Sequence, residues 1–289
     1  MSDPGPTAVS TSSEEIAGAP CWVSLLARDL AAAQRFYAGV LGWEFRPSGR
    51  LGDGFSVALR EGVPVAGIGA LAERFDMPEA WTPYFAVADA DVTAARIGER
   101  GATMAVGPLA FGTGRAGLAA DPAGAVFGFW EGEVVPDWSV GRGGAPVRLD
   151  LHTRDAFEAS IFYGEVLGWA GGASDCCAAS YEHDRVVLRR GRDTVARISG
   201  GVVDEAPDPA IRPRWHVSFP VPDLEAAITA AKRSGGAVVT PVGSSTAGRW
   251  AELAAPGGAR FTVVAPLDTP HSEAPEGRDA PGGARRTTP

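Results

Sequence analysis

Hydrophobic positions along the chain run through the same change of period four times. Trp22-Val23-Ser24-Leu25-Leu26 alternates as a strand does, Asp29 stands at a helix N-cap, and Leu30, Ala33, Phe36, Tyr37, Val40 and Leu41 recur at helical spacing. Gly42 follows, where a chain leaving a helix needs a residue tolerant of positive φ. Apolar runs at Phe55–Arg60 and Val63–Ala70 predict two strands split by a Glu61-Gly62 turn. The order then repeats: a strand at Tyr84–Val87, a helix capped by Asp89 or Asp91 and ending at Arg100-Gly101, and strands near Thr103, Arg115 and Val126. Two further passes begin at Val147–His152, with a helix to Leu167, and at Trp215–Phe219, with a helix from Asp223 to Ser234. The pattern predicts an α+β chain of four β-α-β-β-β units, two per half.

Sequence landmarks make the duplication explicit. Phe36-Tyr37 recurs 126 residues on at Phe162-Tyr163, and Leu41-Gly42-Trp43 recurs as Leu167-Gly168-Trp169. Trp81, Asp89, Gly114-Arg115 and Gly124 recur 134 residues on as Trp215, Asp223, Gly248-Arg249 and Gly258. The second half therefore carries about eight extra residues between Trp169 and Trp215. These landmarks predict domains at 20–135 and 146–266, a linker at 136–145, and Ser/Pro/Gly/Thr-rich disordered tails at 1–19 and 267–289.

Composition narrows the classes. A chain of 289 residues, 45% hydrophobic and 21% charged, can bury two cores, and a net charge of −9 argues against a nucleic-acid or anionic-membrane partner. No secretory signal or membrane-length apolar run is evident, so a cytoplasmic protein is expected. Three cysteines cannot build a disulfide framework. Cys176-Cys177 read as inert thiols, with no basic neighbour in sequence nearer than Arg185. There is one lysine, Lys232, and no asparagine, a usage typical of GC-rich coding.

Tandem units carrying Phe-Tyr-x-x-Val-Leu-Gly-Trp, with Trp22-Val23-Ser24-Leu25, Gly114-Arg115 and Asp121-Pro122-Ala123-Gly124-Ala125, resemble the vicinal oxygen chelate superfamily of glyoxalases, extradiol dioxygenases and bleomycin-resistance proteins. The closest likeness is to its two-domain actinobacterial glyoxalase-like, or "hydroxylase-like", group. The resemblance covers residues 20–266 and implies two cupped mixed-sheet domains, each formed by two units curved around a cavity. Metal-dependent members place ligands on the first and last strands of each unit. Those positions fall on Trp22, Gly67, Thr82 and Gly128 in the first half and Arg148, Arg197, His216 and Thr262 in the second. Neither set, nor a crosswise pairing of units between halves, supplies three good donors, so no metal and no cofactor are expected.

Strand alternation puts Trp22, Ser24, Leu26, Thr82, Tyr84 and Trp130 on one cavity, an aromatic slot where Gly67 and Gly128 would leave room. These rings either fill the barrel as core or receive a flat apolar ligand. The second-half counterpart is polar: Arg148, Asp150, His152, Arg197, His216, Ser218 and Thr262. Either Asp150 pairs with Arg148 or Arg197, or the arginines hold an oxyanion while His216 or Asp150 moves a proton as catalytic groups. The resulting expectation is a metal-independent protein binding a bulky aromatic metabolite. The resemblance implies a setting in antibiotic or aromatic-polyketide biosynthesis or drug sequestration, with a tailoring oxygenase as partner and a monomer or homodimer as the unit. The alternative is a tailoring enzyme (hydroxylase-, lyase- or dioxygenase-like) working in the second-half cavity.

Overall fold

The computed structural model describes residues 11–49, 54–169, 176–182, 185–201, 212–245 and 248–266. The first unit comprises β1 (Pro20–Leu26), α1 (Leu30–Leu41), β2 (Glu44–Pro47), β3 (Phe55–Arg60) and β4 (Val63–Gly69). The second comprises β5 (Ala80–Ala86), α2 (Ala90–Glu99), β6 (Thr103–Phe111), β7 (Gly114–Ala120) and β8 (Val126–Gly132). The third is β9 (Arg148–His152), α3 (Ala156–Val166), β10 (Ala178–Glu182), β11 (Arg185–Arg190) and β12 (Asp193–Ser199). The fourth is β13 (Arg214–Pro220), α4 (Leu224–Arg233), β14 (Ala237–Val238), β15 (Gly243–Ser245), β16 (Gly248–Ala254) and β17 (Arg260–Ala265).

Local chemistry sets each helix. Asp29, Asp89, Asp155 and Asp223 all cap a helix in extended conformation, each accepting backbone N–H bonds from the first turn. Gly42 and Gly168 take φ 68° and 76° just past their helices. The strand predicted to start at Tyr84 begins four residues earlier. Pro83 sits inside it, opposite Val23 of β1 and one residue before the pairing with β8 begins at Tyr84.

Units pair within halves, which the sequence had left open. β1 runs antiparallel to β5 in an eight-stranded sheet ordered β2-β3-β4-β1-β5-β8-β7-β6. β9 runs antiparallel to β13 in a nine-stranded sheet ordered β10-β11-β12-β9-β13-β17-β16-β14, with β15 paired to β16.

The halves meet through their helical faces: α1 lies on α4, α2 on α3, and β5 against β13. Two matched aromatic clusters fill the seam. Tyr37, Trp43 and Trp81 of the first half pack on Phe219 and Phe261 of the second. Tyr163, Trp169 and Trp215 pack in return on Phe85 and Phe127. Each fully buried tyrosine hydroxyl accepts an indole N–H, Trp81 to Tyr37 at 2.9 Å and Trp215 to Tyr163 at 3.0 Å. Tyr163 also donates to Asp121 Oδ2 at 3.1 Å, while Asp121 Oδ1 accepts from the N–H groups of Ala123 and Ala125.

One expectation about the segments flanking the units changes. Residues 11–19, read as part of a disordered tail, are tied down. Ser13 Oγ donates to Val87 O and accepts from Gly132 N, and Gly18 O accepts Trp169 Nε1 at 2.7 Å. Their backbone polar groups are satisfied against the second unit, and Ile16 and Ala19 are buried. The linker at 136–145 is packed against the first half, with Trp138 buried and its Nε1 donating to Val65 O at 2.9 Å. Residues 1–10 and 267–289 lie outside the described residues.

The two clusters predict unequal sensitivity to one missing oxygen. Tyr163→Phe strands the buried Trp215 N–H and removes a bond to Asp121, whereas Tyr37→Phe strands Trp81 alone. In urea unfolding, Tyr163→Phe is expected to cost ~1–3 kcal/mol and more than Tyr37→Phe. Equal or inverted losses would contradict this account of the seam.

Candidate functional site

With the helical faces joined, the other face of each sheet is left free. In β9 the alternation is plain: Leu149 and Leu151 are fully buried toward the seam, while Arg148, Asp150 and His152 are half-buried on the opposite, concave side. The same positions in β1 are Trp22, Ser24 and Leu26.

On the first-half concave face, Trp22 stands opposite Tyr84, Tyr84 opposite Gly128, and Ser24 opposite both Thr82 and Gly67. A cavity of about 420 Å³ opens there. Its walls include Trp22, Ser24, Leu26, Tyr84 and Trp130 of the expected set, joined by Phe55, Val57, Leu118 and β6 side chains that the sequence reading missed. Loop residues Leu71, Arg74 and Phe75 also contribute. The packed segments hold the aromatic wall in place. Trp138 lies 5.7 Å from Trp22, ring to ring, and Trp130 Nε1 donates to Glu133 O at 2.9 Å.

Thr82 is displaced from its expected role. It is 1% exposed, lies outside the cavity lining, and its Oγ1 has no hydrogen-bond partner among the described residues. The glycines also act differently from expectation. A Cβ on Gly67 would stand 2.5 Å from the Phe55 ring and one on Gly128 2.4 Å from the Tyr84 ring. The space they free is taken by the protein's own rings. Only β3 pairing reveals Phe55, and nothing in its sequence surroundings marks it as a wall.

On the second-half concave face, Arg148, Ser218, Thr262 and Glu252 form one row across four strands, and Arg197, Asp150 and His216 form the next. Of the two pairs considered for Asp150, the one with Arg148 is present, Nε to Oδ2 at 2.6 Å. Arg214 of β13 pairs with Glu252 of β16 at 2.7 Å, a contact between residues 38 positions apart that no local pattern marks. The rings of His152 and His216 are 3.9 Å apart at 32°, and His216 Nδ1 is 4.0 Å from Glu252 Oε1. His216 and Asp150 are thus neighbours in register, but each already faces a charged partner.

Burial lowers the pKa of His216 well below the usual imidazole range, with His152, Arg214, Arg260 and Arg148 adding to the effect. Burial also lowers that of His152, against an opposing pull from Asp150. The Cys176-Cys177 reading needs correction. Cys177 Sγ lies 3.1 Å from Cys176 Sγ, and that contact, with Arg190 nearby, lowers the Cys176 thiol to about 7. The basic neighbour comes from strand β11, out of reach of a local sequence window.

These surroundings do not suit a divalent cation. Among the described residues no group of three or more His, Cys, Asp or Glu is placed to hold one. At the positions that bind metal in such folds, arginines flank the single good donor, His216. No helix of the described residues is long and apolar enough to cross a membrane.

Because His216 is held neutral in the folded protein while an unfolded histidine titrates near ~6.5, acid favours the unfolded state. Its stabilising neutrality is complete above that value and is lost as pH falls below it. Stability is expected to drop from about pH 7 to 5, and His216→Gln to flatten the slope by up to ~1.4 kcal/mol per pH unit. Identical pH profiles for the two proteins in chemical unfolding would refute this.

Comparison with known proteins agrees with the geometry. A family model described as "Glyoxalase-like domain" matches residues 22–129 and again 147–264. The anthracycline biosynthesis protein DnrV of Streptomyces peucetius is 32% identical over 263 residues, covering 86% of this chain and 93% of DnrV. CFP32 of Mycobacterium tuberculosis is 31% identical over 261 residues, covering 88% of this chain and 97% of that one. Among solved structures, the Mn(II)-bound glyoxalase from Novosphingobium aromaticivorans superposes with a TM-score of 0.52 at 18% identity, over 90% of this chain and 86% of that one. That likeness speaks for the fold alone. Two family matches, one per half, on two sheets of paired β-α-β-β-β units identify the chain as a member of the glyoxalase-like domain family, within the vicinal oxygen chelate superfamily.

Proposed function

We propose that this protein binds a bulky, largely aromatic small molecule in the first-half cavity, without a metal, as an accessory to antibiotic biosynthesis or as a sequestering protein. The observation that carries the reading is a cavity of about 420 Å³ walled by Trp22, Tyr84, Trp130 and Phe55, with few polar groups among its lining. That volume lies in the range of small-molecule sites, and the apolar wall with a few polar groups is their usual composition. Offset or edge-on ring contacts add roughly 0.5–1.5 kcal/mol each to what burial contributes. The Ser24 hydroxyl on this wall offers a donor or acceptor to orient a ligand oxygen. Relatives named for anthracycline biosynthesis support the setting.

Titration with a neutral dihydroxyanthraquinone is expected to quench tryptophan fluorescence saturably. Trp22→Ala and Trp130→Ala are each expected to weaken binding by about tenfold, the equivalent of one ring's contact and burial. If a broad panel of planar aromatics gives no saturable quenching, or both variants bind as tightly as the parent, the proposal fails.

Metal independence has its own test. Purified protein is expected to contain only substoichiometric Mn, Fe, Ni or Zn and to bind the anthraquinone equally well after chelation. One equivalent of metal whose removal abolishes binding would show the opposite.

A further inference from the structure

The two concave faces are built on one duplicated lattice but carry opposite chemistry. Trp22, Ser24 and Leu26 of β1 correspond, 126 residues on, to Arg148, Asp150 and His152 of β9. Thr82, Tyr84 and Leu118 correspond, 134 residues on, to His216, Ser218 and Glu252. Apart from Thr82, which is buried outside the lining, these positions wall an apolar cavity in one half and are charged or hydrogen-bonding in the other. A scaffold needs no such change, since the first half shows that apolar side chains fold at these positions.

The charges of the second face do not cancel. Arg148–Asp150 and Arg214–Glu252 are closed ion pairs. Arg197, beside Asp150 on β12, and Arg260, two residues before Thr262 on β17, lie on the same face and are half-buried. Neither has a carboxylate within ion-pair distance among the described residues. Arg260 lies close enough to Arg214 and His216 to act on both electrostatically. Arg148 Nε is buried, and its 2.6 Å contact with Asp150 is an ion pair without an aligned hydrogen bond. Near these arginines stand the close, tilted rings of His152 and His216, and in the neighbouring row the hydroxyls of Ser218 and Thr262, which can donate to an oxygen.

Half-buried guanidinium groups in excess of carboxylates are costly unless an anion completes them, and their planar forks suit carboxylate or phosphoryl oxygens. We infer that the concave face of the second half is a separate binding site for a small oxyanion, a carboxylate in the first instance, held by Arg197 and Arg260 beside the His152–His216 pair. The helical faces of the halves are joined, so the two concave faces look away from each other. The oxyanion site is therefore independent of the aromatic cavity, and either can fail without the other.

The test is calorimetric titration at low ionic strength and neutral pH with benzoate and, separately, inorganic phosphate. One-to-one saturable binding of benzoate is expected, weakened at least about tenfold in Arg197→Gln and in Arg260→Gln and unchanged in Trp22→Ala. Tighter binding of phosphate than benzoate, with the same arginine dependence, also supports the site and assigns it to phosphoryl groups. Thermal unfolding guards against a trivial loss: benzoate is expected to raise the midpoint of the parent protein and not of variants whose unliganded midpoint matches it. Absence of saturable binding by both anions overturns the inference. So does a loss that follows Trp22→Ala rather than the arginine variants.

Discussion

The seam between the halves is the constraint on which the rest of the molecule depends. Tyr37 and Tyr163 each sit at the centre of a fully buried aromatic cluster that takes rings from both halves, and each hydroxyl is occupied by an indole N–H. Rings of this size contribute on the order of 1.5–3 kcal/mol each on burial, provided their polar atoms find partners inside. Because both clusters lie on the helical side of the sheets, satisfying them commits that side to the interior. Among the described residues, the concave faces are then the broad sheet surfaces left to receive anything else.

Duplication supplied two such faces, and they diverged in chemistry while the seam kept its symmetry. The Phe-Tyr and Leu-Gly-Trp residues repeat because each half must present the same aromatic group to the other. Where the halves differ within the seam, the difference is small and local. Asp121 braces Tyr163 from the first half, while the matching position behind Tyr37 is Ala255. On the concave side nothing enforces likeness, so Trp22 can face a cavity while its counterpart Arg148 faces Asp150. The resident charges around His216 explain in the same terms why the fold's metal-binding positions are a poor home for a cation here.

Much of this was legible one residue at a time. The caps at Asp29 and Asp89, the two glycine exits and the alternation that puts Trp22, Ser24 and Tyr84 on one side all follow from local periodicity. The identity of the cavity's far wall was not legible. Phe55 and the β6 residues reach it only through strand pairings whose partners are distant in sequence. Gly67 and Gly128 misled for a related reason: the sequence shows that space is left at a glycine, but not whose ring moves into it. The segment at 11–19 and Trp138 likewise carry little periodic pattern, and their order comes from bonds to β-strand ends and to Val65.

By itself, then, the sequence determined the four units, their duplication and the face that Trp22, Ser24 and Tyr84 take. These properties depend on spacing along one strand or helix, which the chain states directly. Only the tertiary structure decided that units pair within halves, that the aromatic corners bind the halves together, and that Arg214 meets Glu252 while Arg197 and Arg260 meet no carboxylate among the described residues. Each of these is set by strand register and by which surfaces pack, and such contacts join residues far apart along the chain.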